Sequence, residues 1–70
     1  MNTTTATVSS SFDRYEMQTI YYIKFPGAHF QISPRFFERP EYVANKAARM
    51  LTSGEPRESV VQWLDSVQRN

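Results

Sequence analysis

Apolar residues recur at every second position through the N-terminal half of this chain, and the phase holds from one segment to the next. Ala6, Val8 and Phe12 share one parity; Met17, Tyr21, Ile23 and Phe25 share another. After Pro26-Gly27, Phe30 and Ile32 carry the pattern on. A period of two marks strands with one buried face. It predicts strands over residues 5–12, 17–25 and 28–33.

Pairing rules tighten this reading. A connection over residues 13–16 sets Phe12 opposite Met17, Val8 opposite Tyr21 and Ala6 opposite Ile23, so apolar residues meet on one face. Residues 17–25 hold Thr19, Ile20, Tyr21, Tyr22, Ile23 and Phe25, all strand-favouring types. Pro26-Gly27 is a turn signal, proline setting φ at one central position and glycine accepting positive φ at the next. It brings Ile23 to Phe30 and Tyr21 to Ile32.

Ser33-Pro34 ends the third strand and predicts one helical turn over residues 34–37. Pro40 opens a helix over residues 40–52 with an apolar stripe of Val43, Ala47, Met50 and Leu51. Ser53-Gly54 ends it, Gly54 suiting the left-handed position after a helix. Pro56 opens a second helix over residues 56–68. Its stripe is Val60, Trp63 or Leu64, and Val67, with Glu58 in the first turn where the helix dipole favours an anion. The expected fold is α+β: a three-stranded antiparallel β-meander followed by two α-helices on one face, in the order β-β-β-α-α. Residues 1–4 are expected to be disordered and residues 5–70 to form one domain.

Composition narrows the function classes. A chain of 70 residues makes a marginal core. With no cysteine and one histidine, it has neither a disulfide nor a Cys/His zinc site to reinforce that core. Self-association or a larger partner remains. Eight basic against seven acidic residues leave a net charge of +1, without the basic excess of a dedicated nucleic-acid binder. No apolar run reaches membrane-span length, and no secretory signal precedes residue 5. The expectation is a cytoplasmic protein with no membrane partner.

Catalytic chemistry finds no foothold in the sequence. His29 is the single imidazole and faces away from the core, opposite Lys24. No nucleophile elbow is present, and two distant glycines cannot make a phosphate loop. The carboxylates fall in turns or on exposed helix faces. The chain is therefore read as a non-enzyme without cofactor or metal.

Binding residues are easier to nominate. Tyr22 and Lys24 lie with His29 on the outer sheet face, as an ordinary solvated surface or a small stacking platform. Phe36 and Phe37 are adjacent, so a single turn cannot bury both in one core. Arg35 and Arg39 flank them, and aromatics beside arginine are the usual composition of interface hot spots. Tyr22, Lys24, Arg35, Phe36, Phe37 and Arg39 are the candidate protein-binding residues. Trp63 is expected in the core.

Residues 51–64 resemble the helix-turn-helix half of ribbon-helix-helix antitoxins, in which a glycine ends one helix and a Ser-Glu-Val-Val-like start opens the next. Those proteins read DNA with a strand paired across a dimer, directly before the first helix. Here residues 28–33 already pair in a hairpin, and Pro34 and Pro40 separate them from the helix. The resemblance therefore does not carry DNA reading to this chain. The expected function is a small protein-binding regulator or inhibitor docking on a larger protein, with homodimerisation open. A phage- or mobile-element-encoded inhibitor of a host defence system, of the anti-CRISPR kind, is one concrete form. The alternative is a dimeric nucleic-acid-binding regulator using Lys24, Arg35, Arg39 and the sheet face.

Overall fold

A computed structural model describes residues 4–69. The expectations for residues 1–3 lie outside the described residues. Three strands, β1 (Thr7–Asp13), β2 (Gln18–Phe25) and β3 (Ala28–Ile32), precede two helices, α1 (Pro40–Thr52) and α2 (Arg57–Val67). The strands form one antiparallel sheet in the order β1-β2-β3. This is the small β-β-β-α-α fold the alternation predicts.

The β2–β3 hairpin has the expected register. Tyr21 pairs with Ile32, Ile23 with Phe30, and Phe25 with Ala28 across a loop of Pro26 and Gly27. Gly27 has φ +81, and proline's ring fixes φ near −65°, which together are the angles of a type II turn.

The β1–β2 hairpin differs from expectation by a slide of two residues. Val8 pairs with Ile23, Ser10 with Tyr21 and Phe12 with Thr19, while Met17 leaves the strand altogether. The loop itself explains the slide. Asp13 accepts hydrogen bonds from the backbone N–H groups of Tyr15 (2.9 Å) and Glu16 (3.3 Å), and Met17 closes the turn at φ +55. The connection thus runs over residues 14–17, and Asp13 pairs with Gln18. A slide of two preserves the face of every strand residue.

The core lies between the inner sheet face and α1. Ile23 and Ile32 are 1% exposed, and Ala28 is buried beside them. From α1 come Val43, Ala44, Ala47, Ala48 and Leu51. Three of these are alanines, which lets the helix sit close to the sheet. Met50, expected in the stripe, only packs against its margin. Two bonds fix how α1 lies along the sheet. Near its C-terminal end, Thr52 Oγ1 accepts from the Ala6 N–H at 2.9 Å. At its N-terminal end, the Tyr21 hydroxyl donates to Glu41 at 3.2 Å. The helix therefore covers the sheet from Ala6 to the level of Tyr21 and stops.

Phe12 and Met17, placed by parity on the apolar face of the sheet, lie beyond that cover. Phe12 is 56% exposed and Met17 73%. The β1–β2 hairpin overhangs the helices and gives the molecule its 43 × 23 × 17 Å outline.

A Schellman motif ends α1. Glu55 N–H donates to the Met50 carbonyl and Gly54 N–H to the Leu51 carbonyl, with Gly54 at φ +98. Pro56 is the cap of α2 rather than its first residue. Val60 and Leu64 are buried, and Trp63 packs at the core margin beneath Lys46, whose Nζ lies 5.5 Å from the ring centroid. Val67, expected in the stripe, is 37% exposed, because the last turn of α2 runs past the end of the core.

Two stability outcomes follow from these contacts. Met17→Gly should raise unfolding free energy by about 0.5–1 kcal/mol in urea melts, since a left-handed side chain is strained. Thr52→Val should lower it by about 1–3 kcal/mol by leaving the Ala6 N–H unpaired. Faster hydrogen exchange at the Ala6 amide would locate that loss.

Candidate functional site

The turn after β3 is built on Ser33. Its carbonyl accepts from the N–H groups of Phe36 (3.0 Å) and Phe37 (3.1 Å), and its hydroxyl accepts from Arg35 N–H (3.2 Å). Ser33 is itself buried at 6%. This capped turn decides the fate of the paired phenylalanines. Phe37 is 5% exposed and belongs to the core; Phe36 is 47% exposed and faces out. Phe37 therefore offers a partner no surface. Arg35 and Arg39 are both exposed on either side.

The chain end reinforces this corner. Arg69 N–H donates to the Phe36 carbonyl at 2.6 Å. Phe36 borders a shallow hollow of about 220 Å³, which Phe30, Gln31, Val61, Leu64 and Gln68 also line. The Arg57 guanidinium lies 5.7 Å from the Phe30 ring centroid and covers part of that ring.

Tyr22 and Lys24 sit elsewhere, on the outer sheet face. Lys24 pairs with His29 and Tyr22 with Gln31, as the register predicts. With Ser9 they border a second open hollow of about 460 Å³. Gln31 lines both hollows, so the two patches adjoin along β3. The six nominated residues thus divide into an outer-face pair, an exposed Arg35-Phe36-Arg39 corner and a buried Phe37.

Three exposed apolar residues escape the sequence reading. Phe12, Tyr15 (99% exposed) and Met17 cluster at the overhanging hairpin end. The usable signal was length: a hairpin of this size outruns a helix of 13 residues fixed at Tyr21. Tyr42, 52% exposed, lies on α1 beside the β1 edge.

Titratable groups make few contacts that bear on chemistry. Among the described residues no group of three His, Cys, Asp or Glu side chains could hold a metal ion. No helix among them is long and apolar enough to cross a membrane. The Tyr21 phenol is pushed above its ordinary value, first by desolvation, then by the hydrogen bond to Glu41 and that carboxylate's charge. Comparison with known proteins finds no matching family, no matching curated protein and no matching solved structure.

The raised Tyr21 pKa fixes the sign of one pH effect. Its folded-state value exceeds the unfolded value of about 10, so its stabilising contribution is complete below pH 10 or so and is lost as pH rises through the folded value. Tyr21→Phe should remove that part of the alkaline loss, read as the difference between the two proteins' thermal midpoints across pH 9–12.

Proposed function

We propose that this chain is a non-enzymatic protein-binding regulator or inhibitor, and that it docks on a larger protein through the Phe36 corner. One observation supports this reading above the others. Phe36 stands half-exposed between two exposed arginines on a turn held by three Ser33 hydrogen bonds. Such a side chain loses little freedom on binding, which is one of the main costs of association. Aromatic and arginine side chains together supply most hot-spot energy at interfaces. The hollow beside Phe36 offers apolar walls from Val61 and Leu64 to a partner side chain. Tyr22 and Lys24 extend the surface across Gln31.

The reading is tested by capture from lysate of the native host, with and without nuclease, using the intact chain and a Phe36→Ala variant. One stoichiometric protein that survives nuclease is expected. Phe36→Ala should weaken its binding by about 2 kcal/mol or more with the circular dichroism spectrum unchanged. Recovery of nucleic acid, with affinity falling steeply as salt rises, would replace this reading with the nucleic-acid-binding regulator.

A further inference from the structure

Among the described residues no strand pairs with the outer edge of β1, and beyond the Ala6 bond to Thr52 that edge lacks the usual protections. Sheet edges are normally blunted by charge, proline, bulges or shortness. Residues 4–12 contain no charged residue and no proline. The β1–β2 pairing runs from Thr7 to Asp13 without a bulge. The opposite edge, β3, has five residues against seven in β1.

Beside the β1 edge runs an open groove of about 810 Å³, between β1 and α1. Ala6, Val8, Tyr42, Asn45, Ala48 and Arg49 line it. It has the shape left when a sheet stops one strand short of the helix that covers it. On the same inner face, at the other end of β1, Phe12 projects with no helix above it.

We propose that a second copy of this chain fills the groove, by antiparallel pairing of β1 with β1 about a two-fold axis at Ser9. Ser9 then meets Ser9 of the second copy, and Phe12 of each copy lies opposite Ala6 of the other. The two-fold axis stands perpendicular to the sheet and keeps both sets of helices on one side, giving six continuous strands.

The register follows from charge and fit. The Ala6–Thr52 bond places the C-terminal part of α1 over the start of β1. A phenylalanine opposite Ala6 therefore enters the groove beside Ala48 and Arg49. A slide to an axis at Ser10 would move Phe12 opposite Val8, away from the Ala6 end of the groove, and bring the charged Asp13 into the paired segment opposite Thr7. An axis at Val8 would carry Phe12 past Ala6 and out of the groove. The Ser9 axis also pairs only uncharged residues, Thr7 to Ser11 of each copy, and leaves the Ala6 N–H on Thr52, so that Phe12 meets Ala6 through its side chain alone. A stable pair needs about 800 Å² from each copy, a modest share of the 5200 Å² surface. The edge strand, the groove wall and both Phe12 side chains lie together on the face that would be buried. The Phe36 corner stays free, because β3 forms the opposite edge.

The chain has no cysteine, so single-cysteine variants read the register directly. The full chain should sediment as a dimer between micromolar and submillimolar concentration. Ser9→Cys should cross-link to itself under mild oxidation, since directly opposed residues fall within disulfide reach. Thr7→Cys and Ser11→Cys should not self-link, yet a mixture of the two should link to each other. Phe12→Glu should weaken the dimer about tenfold or more while retaining the monomer's circular dichroism, because Phe12 buries little in one copy. A monomer at every concentration overturns the proposal, as does a dimer that leaves Ser9→Cys unlinked. A target protein cross-linked at Ser9→Cys in place of a second copy would overturn it too, and would assign the edge to a foreign strand.

Discussion

The close seating of α1 on β2 is the constraint from which the rest of this domain follows. Ala44 and Ala47 are fully buried, and Ile23 beneath them is almost so. Small residues let the helix axis approach the sheet, and close approach excludes water from a core built of only a dozen residues. Burial of this kind supplies the main favourable term in so short a chain. The helix also sets limits. Its C-terminal end is held at Ala6 and its N-terminal end at Tyr21. What lies within that span is core, and what lies beyond it is surface, whatever its hydrophobicity.

That limit explains which parts of the structure were legible in the chain. The β2–β3 register could be read because apolar alternation flanks a two-residue Pro-Gly turn, leaving no slack in the loop. The bounds of α1 could be read because Pro40 and Ser53-Gly54 act locally, through φ and through the left-handed cap. The β1–β2 register was out of reach. Parity cannot distinguish a slide of two, and the deciding facts are the Asp13 side-chain bonds and the positive φ of Met17. The exposure of Phe12 was out of reach for a different reason. Alternation tells which face a residue takes, but the length of the helix over that face decides whether it is covered.

The candidate surface was legible to the level of residue type. Phe36 and Phe37 were recognisable as a pair that must divide. Which one turns inward depends on the phase of the turn after Ile32, and that phase is set by Ser33 bonds too local to leave a periodic trace. Phe36, Arg35 and Arg39 share a corner because the turn and the start of α1 are close in the chain. Tyr22 and Lys24 join them through Phe30 and Gln31, neighbours supplied by strand pairing rather than by sequence proximity.

Each end of the described chain is tied down by a long-range hydrogen bond to a distant element, Ala6 N–H to Thr52 and Arg69 N–H to Phe36. Opening such a bond costs far less than unfolding the core, so the ends belong to the low-stability part of the molecule. At the N-terminal end the Ala6 bond ties β1 to α1, while β1 stays on the sheet through its pairing with β2 from Thr7 to Asp13. Anything that grips β1 from its free side stabilises the folded chain by mass action.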